Sequence, residues 1–275
     1  MRSGYLNLDG REIHYTEWGR RGAEPLIMWH GLARTGRDFD DLAAALADTY
    51  HIVCPDTIGR GRSQWSPEPD QEYCLGFYAR LAVGLYDAFG FRTVRWVGTS
   101  MGGAIGMKVA GGPLRDRITY LVLNDIGPKI ADAAVARIRS YAGSPSAFAT
   151  VSELEAYFRT IYKPYGVLTD EQWRRLTETS VRRLPDGRVT PHYDPKMVRQ
   201  FEVHPSDYDL WPDYERIVAK VLCLRGADSD LLLPADAEEM TRRGARCRLE
   251  TIADCGHAPA LNVPEQIDMV RAFLA

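Results

Sequence analysis

Three features are missing from this 275-residue sequence. No run approaches the roughly 18 apolar residues of a membrane span, and residues 1–10 lack the apolar core of a secretory signal. Basic residues such as Arg60, Arg62 and Arg182 are interspersed with acidic ones rather than gathered into a tract, and the formal net charge is only -3. We therefore expect a cytoplasmic protein that binds neither nucleic acid nor a membrane.

Paired cysteines and metal-ligand spacings are missing as well. The five cysteines are odd in number and scattered, which indicates neither a disulfide framework nor a metal site. Glycines stand at positions 59 and 61, but a dinucleotide-binding fingerprint would need a third glycine where Gln64 stands. The sequence thus predicts no metal and no cofactor.

The apolar residues that are present, 45% of the chain, are enough to bury the core of one α/β domain. Apolar and polar residues alternate around Asp9 and Gly10, which predicts an antiparallel hairpin. Nearly continuous apolar runs at residues 25–30, 51–56 and 118–125 predict strands that are covered on both faces.

From residue 127 to 211 the alternation of strands and helices stops. The pattern there predicts helices at residues 131–141, 152–162 and 169–182. Ser152 with Glu155, and Thr169 with Gln172, have the spacing of capping boxes that begin the second and third helices. The sequence therefore predicts a helical insertion within the α/β domain.

Residues 98–102 read G-T-S-M-G and lie between an apolar run and a helical pattern. A serine at so sharp a turn needs a positive φ, and glycines two positions away on either side let the strand and helix approach each other. Such a turn holds the Ser100 hydroxyl clear of the sheet, at a helix N-terminus that favours developing negative charge. The alternative is a glycine-rich turn that merely contains a serine.

Together these patterns resemble the α/β-hydrolase family, whose nucleophile elbow is G-x-S-x-G. The chain also resembles that family in a D-x-x-G-x-G-x-S loop from Asp56 to Ser63 and a G-H-x-P-x-L-x-x-P-E pattern from Gly256 to Glu265. The resemblance implies a mostly parallel twisted sheet flanked by helices, with an inserted helical cap. The predicted boundaries are a first part of the core at 1–126, the cap at 127–211 and a second part of the core at 212–275.

The resemblance also implies roles for individual residues. Ser100 would be the nucleophile and His257 its base, in the chain order Ser, Asp, His. The backbone N–H groups of Leu32, which follows the H-G pair at 30–31, and of Met101 would form the oxyanion hole. We expect His30 itself to pack within the protein and to order this loop, because a backbone donor does not require the imidazole.

The acid that supports His257 has three candidates. The family pattern is roughly G-x-x-D-x-x-x-P, but Ser229 occupies the third position after Gly226. Counting back four positions from Pro234 gives Asp230, which we predict to be the acid. Asp228 is the second candidate, and Asp125 is the third because some family members supply the acid after the preceding strand.

A serine at the elbow argues against the dehalogenases and epoxide hydrolases of this fold, which need a carboxylate nucleophile. The resemblance predicts a serine hydrolase that cleaves a carboxylic ester or related small acyl compound. Two alternatives remain open. One is a C–C bond hydrolase that cleaves a vinylogous diketone, and the other is a hydrolase-like protein that binds a ligand without turnover.

Overall fold

The first two strands form the predicted hairpin. The computed structural model describes residues 1–275, and β1 (Arg2–Leu8) pairs antiparallel with β2 (Arg11–Trp18). Asp9 and Gly10 have φ values of 51° and 77° at the turn. Two positive φ values give a turn whose twist matches that of the flanking strands, so the hairpin prediction is confirmed.

The hairpin forms one edge of an eight-stranded sheet with the order β1-β2-β4-β3-β5-β6-β9-β10. The pairs from β4 to β10 are parallel, while β2 runs antiparallel to both of its neighbours. The remaining strands of this sheet are β3 (Glu24–Trp29), β4 (Tyr50–Pro55), β5 (Val94–Thr99), β6 (Ile118–Asn124), β9 (Lys220–Gly226) and β10 (Arg248–Ile252). The predicted fold, a mostly parallel sheet flanked by helices, is confirmed.

Helices cover both faces of the sheet, because alternate residues of the buried strands point to opposite faces. Trp29 and Trp96 pack in the larger apolar cluster with α3 and α4, whereas Met28 and Val97 pack in a second cluster with α1 and α11. The helices outside the insertion are α1 (Asp40–Leu46), α2 (Pro69–Glu72), α3 (Leu75–Ala88), α4 (Met101–Ala110), α9 (Trp211–Tyr214), α10 (Pro234–Arg242) and α11 (Pro264–Leu274). None of the helices is both long and apolar enough to cross a bilayer.

The chain between β6 and β9 contains most of the remaining elements, in three helices, a small hairpin and a fourth short helix. These are α5 (Asp132–Ala142), α6 (Val151–Ile161), α7 (Asp170–Glu178), β7 (Val181–Arg183), β8 (Val189–Pro191) and α8 (Gln200–Val203). Helices are therefore the main secondary structure of the residues predicted as a helical insertion, but the hairpin was not predicted.

Two details of the predicted helices differ. The predicted capping box of Thr169 and Gln172 begins α7, whereas α6 begins at Thr150, whose side chain accepts from the N–H of Glu153. The predicted box of Ser152 and Glu155 was therefore wrong by about half a turn. The third helix ends at Glu178 instead of 182, because the following residues pair with β8.

Candidate active site

Ser100 lies at the turn between β5 and α4, where the sequence predicts it. Its φ is 51° and its ψ is -119°, and its N–H donates to the carbonyl of Asn124 on the neighbouring strand. A Cβ on Gly98 would clash with the carbonyl of Gly102, and a Cβ on Gly102 would clash with the carbonyl of Trp29. The two glycines are thus required by the close approach of α4 to β3 and β5.

Ser100 is joined to His257 and Asp125 by a chain of hydrogen bonds. The Ser100 Oγ lies 2.9 Å from Nε2 of His257, and Nδ1 of His257 lies 2.7 Å from Oδ2 of Asp125. An ionised carboxylate can only accept, so the Nδ1–H donates to Asp125 and leaves Nε2 free to accept from the Ser100 hydroxyl. This is the protonation pattern that general-base activation of a serine needs.

Asp125 is fully buried and is held by the last residue of β9 and by a residue that follows it. The Gly226 N–H donates to its Oδ1 over 2.8 Å, and the Ser229 hydroxyl donates to its Oδ2 over 2.6 Å. The φ of Asp125 is 54°, a left-handed conformation at the end of β6. Charge-assisted hydrogen bonds of this kind stabilise the ionised carboxylate, which otherwise would be costly to bury.

The predicted acid, Asp230, does not contact His257, and this prediction is corrected. Its carboxylate lies on the surface and binds Arg137 of α5 through two hydrogen bonds of 2.7 and 2.8 Å. Asp228 is also exposed, and its carboxylate makes no hydrogen bond. The third candidate, Asp125, therefore makes the contact with His257 that we predicted for Asp230.

Met101 follows Ser100 within the elbow, and Leu32 lines the same cavity as Ser100. The Leu32 N–H has no acceptor in the protein, and Met101 is the first residue of α4, where helical N–H groups have no partner within the helix. The buried Arg60 contacts both residues, since its Nε donates to the Leu32 carbonyl over 2.9 Å and its Nη2 lies 3.6 Å from the Met101 sulfur. Arg60 thus fixes the two segments relative to each other.

His30 is buried, as the sequence predicts, and joins two loops. Its Nδ1–H donates to the Gly31 carbonyl over 2.6 Å, and its Nε2 accepts from the Thr57 N–H over 2.9 Å. Burial lowers the pKa of His30 to about 4, so the ring is neutral at pH 7. His30 does not line the cavity beside Ser100.

A second chain of the same three residue types lies far from the elbow. The Ser3 Oγ is 2.7 Å from Nε2 of His14, and Nδ1 of His14 is 2.7 Å from Oδ2 of Asp56. Ser3, however, is the second residue of the extended edge strand β1 and is not at a helix N-terminus. The hydrogen-bond distances are similar at the two sites. Ser100 differs from Ser3 in its strained backbone, in the helix that follows it and in the unpaired N–H of Leu32.

Ser100 and His257 open into a cavity whose empty space, including its mouth, is about 500 Å³. The loop after β3 contributes Leu32 and Arg34 to its wall. The insertion contributes aromatic, aliphatic and basic side chains, namely Arg137, Ile138, Tyr141, Ile161, Tyr162 and Tyr165. Burial raises the pKa of the Tyr141, Tyr162 and Tyr165 hydroxyls, which keeps them protonated.

The other aromatic residues of the insertion pack against one another. Trp173, Phe158 and Tyr157 contribute to an apolar cluster between α6 and α7 and do not line the cavity. Tyr141, Tyr162 and Tyr165, by contrast, line the cavity.

The cysteines are five buried free thiols. Burial raises the pKa of Cys255 to about 11 and that of Cys54 further, so both remain protonated at neutral pH. No group of three or more His, Cys, Asp or Glu side chains is arranged to hold a metal ion.

Comparison with known proteins gives the class. A family model described as the alpha/beta hydrolase family matches residues 26–268, so the chain belongs to that family and is a hydrolase. It is 42% identical over 270 residues to a 3-hydroxybutyrate-oligomer hydrolase of Cupriavidus necator, covering 94% of this chain and 91% of that one.

Two further relatives span nearly the whole chain. A 2-hydroxy-6-oxononadienedioate/2-hydroxy-6-oxononatrienedioate hydrolase of Paraburkholderia xenovorans is 25% identical over 285 residues, covering 96% of this chain and 91% of that one. Among solved structures, an alpha/beta hydrolase from Novosphingobium aromaticivorans has a TM-score of 0.88 at 30% identity, covering 99% of this chain and 97% of that one.

Sequence reasoning missed several residues at this site. Asp125 ranked last among three acids, and the arginines Arg34 and Arg137 were not considered. One signal was available: Ser229 occupies the position where the family pattern has its acid, which indicates that the acid comes from elsewhere. Nothing in the sequence identifies Arg137, because its position depends on how α5 packs.

Proposed function

We propose that this protein is a serine-dependent carboxylic ester hydrolase that works through an acyl-enzyme. The observation that carries the proposal is the hydrogen-bonded chain from Asp125 through His257 to Ser100, with the serine at a strained turn before a helix. We further propose that residues 127–211 act as a cap, because Arg137, Tyr141 and Tyr162 reach the cavity from that segment.

In the first half of the reaction, the Ser100 Oγ attacks the ester carbonyl carbon and its proton passes to Nε2 of His257. The carbonyl oxygen becomes an oxyanion, which accepts hydrogen bonds from the N–H groups of Leu32 and Met101; one such donor typically contributes about 10² to 10³ in rate. His257 then gives its proton to the alcohol oxygen as the C–O bond breaks. An acyl-Ser100 ester remains.

In the second half, a water molecule attacks the acyl-enzyme. His257 Nε2 takes a proton from the water and later returns it to Ser100 Oγ, which releases the acid. Asp125 remains ionised throughout and stabilises the imidazolium that forms twice in the cycle. No step needs a cofactor.

For the substrate, we propose short esters of hydroxy acids such as linear 3-hydroxybutyrate oligomers. The support is the 42% identity, over nearly the full length of both chains, to the Cupriavidus necator hydrolase of that name. The tyrosine and arginine side chains in the wall of the cavity suit a polar ester better than a long alkyl chain.

Cleavage of a C–C bond is the second candidate, and the similarity to the Paraburkholderia xenovorans hydrolase supports it. The deciding experiment compares kcat/KM for the linear dimer of 3-hydroxybutyrate with kcat/KM for a 2-hydroxy-6-oxodienoate. We expect the dimer to be hydrolysed with a much higher kcat/KM. A clear preference for the dienoate would replace ester hydrolysis with C–C hydrolysis, and tight binding of either compound without turnover would favour a binding protein.

A further inference from the structure

The cavity beside Ser100 is lined by two arginines and by no acidic side chain. Arg34 and Arg137 each have a carboxylate partner, but those partners, Asp38 and Asp230, lie outside the cavity wall. In both ion pairs the arginine, and not the aspartate, therefore lies in the cavity wall. An arrangement of this kind favours a negatively charged group in the cavity.

The two arginines differ in what they offer a substrate. Arg34 is buried, its Nε and Nη2 donate to Asp38, and its guanidinium stacks over the Tyr162 ring at 4.7 Å. The aliphatic part of its side chain lies near the nucleophile, with Gly31 between them. A Cβ added to Gly31 would be 3.6 Å from Cβ of Ser100 and 3.8 Å from Cγ of Arg34. Arg34 thus contributes positive charge close to Ser100, but its third nitrogen, Nη1, is buried away from solvent and has no hydrogen-bond partner in the protein.

Arg137 is the accessible one. Its side chain is 43% exposed, and Asp230 accepts from its Nε and Nη2, which holds the guanidinium in one orientation. The third nitrogen, Nη1, does not bind Asp230, and the Tyr141 hydroxyl of the cavity wall lies close to the guanidinium. A guanidinium that is fixed on one edge can bind the carboxylate of a ligand through the other edge.

We propose that Arg137 binds a carboxylate of the substrate and that Asp230 positions Arg137 for this role. This inference rests on the proposed function and gives its substrate class: esters whose alcohol part carries a free carboxylate, as in the acid end of a hydroxy acid oligomer. Asp230, which the sequence suggested as the partner of His257, instead acts through Arg137 on substrate binding.

The expected contribution is modest. Asp230 compensates part of the charge of Arg137, and the side chain is partly exposed, so solvent and salt weaken its attraction for a carboxylate. We therefore expect an effect of about tenfold on KM for a carboxylate-bearing ester, which is the size of a single charged hydrogen bond. Because Arg137 does not touch the reacting atoms, kcat should change little.

The test uses two substrates with the same scissile bond. In 3-acetoxybutyrate and its methyl ester, the acetyl ester is identical and only the carboxylate differs; release of acetate is measured for both. In the wild-type protein we expect KM to be lower for the free acid. Arg137→Gln should raise KM for the free acid about tenfold, while KM for the methyl ester stays within twofold.

Arg139→Gln is the matched control, because Arg139 lies on the same helix, pairs with Glu202 and does not line the cavity. This variant should match the wild-type protein with both substrates. A second readout is ionic strength: 0.5 M salt should reduce the preference for the free acid in the wild-type protein and have no such effect in Arg137→Gln.

Two results would overturn the inference while leaving the proposed function intact. One is a wild-type protein that releases acetate from both substrates with equal KM, and the other is an Arg137→Gln protein whose KM rises equally for both. Failure to release acetate from either substrate, together with absence of phosphonylation at Ser100, would instead reject the proposed function and this inference with it.

Discussion

His257 and Asp125 are joined by a 2.7 Å hydrogen bond although 132 positions separate them in the chain. The bond exists because β6, β9 and β10 lie side by side and run parallel, so the segments that follow β6 and β10, with Asp125 and His257, meet at one edge of the sheet. Ser229 completes the arrangement, since its hydroxyl contacts Asp125 from the segment after β9. The proposed acid therefore comes from one strand and a side chain that holds it comes from the next.

The first prediction concerns this acid. Asp125→Asn should lower kcat for methyl 3-acetoxybutyrate by roughly 10² to 10⁴, because the variant loses the charge and the tautomer control that steady His257. Asp230→Asn should stay within about threefold of the parent on this uncharged ester. Both proteins are compared by far-ultraviolet circular dichroism, and a folded, active Asp125→Asn beside a crippled Asp230→Asn would restore the original assignment.

The second prediction concerns the glycines of the elbow. Gly102 and Gly76 both lie in helices with φ values open to any residue, but only at Gly102 would a Cβ clash with backbone. We expect Gly102→Ala to lose roughly 3 kcal/mol or more of unfolding free energy. Gly76→Ala should gain about 0.5–1 kcal/mol from helix propensity. Urea denaturation measures both, and equal stability of the two variants would contradict the steric argument.

The third prediction separates two aromatic residues of the insertion. Tyr162 and Trp173 belong to the same apolar cluster of the insertion, but only Tyr162 also lines the cavity. Tyr162→Ala enlarges the cavity and should raise the kcat/KM ratio of p-nitrophenyl hexanoate to acetate at least about fivefold. Trp173→Ala should lower the unfolding free energy by about 3–5 kcal/mol and leave that ratio within twofold. If the ratio changes in Trp173→Ala and not in Tyr162→Ala, Trp173 contacts the substrate and Tyr162 does not.

The fourth prediction is a dependence of stability on pH. Burial lowers the pKa of His30 to about 4 and that of His192 to about 3, whereas a histidine in the unfolded chain titrates near 6.5. Between these values the unfolded state binds more protons, so stability is lost as the pH falls from about 6.5 towards 4. We expect His30 alone to account for about 2 kcal/mol of the loss between pH 7.5 and pH 4.5.

Urea denaturation at the two pH values measures this loss. His30→Asn, which has no titrating group there, should show a smaller difference between pH 7.5 and pH 4.5 than the wild-type protein. His204→Asn is the control, because His204 is not buried, and its difference should equal that of the wild type. An unchanged difference in His30→Asn would mean that other groups control the acid sensitivity.

Local patterns were sufficient for the elbow and the hairpin. Gly98 is needed because of a contact with Gly102 close by in the chain, and the conformations of Asp9 and Gly10 form the hairpin turn. The position of His257 followed from a pattern that spans its loop. In each case the residues that decide the geometry lie close together in the chain, which is why the sequence alone could predict it.

The acid could not be predicted this way, because its identity depends on two segments more than 100 positions apart. Counting from Pro234 assumes that the segment after β9 keeps its direction, but that segment turns Ser229 inward and Asp230 outward to Arg137. The same limit applies to α7, which ends early because a strand pairing replaces its last turn. Contacts between residues that are distant in the chain determine the identity of the acid, and a strand pairing determines the end of α7.

The central claim is that Ser100 is the nucleophile, and the presence of a second Ser-His-Asp chain at Ser3 makes the test sharp. The wild-type protein, Ser100→Ala and Ser3→Ala are each treated with a fluorophosphonate, and the modified peptide is located by mass spectrometry. We predict one phosphonyl group on Ser100 in the wild type and in Ser3→Ala, and none in Ser100→Ala. A phosphonyl group on Ser3, or equal modification of a folded Ser100→Ala, would contradict the account.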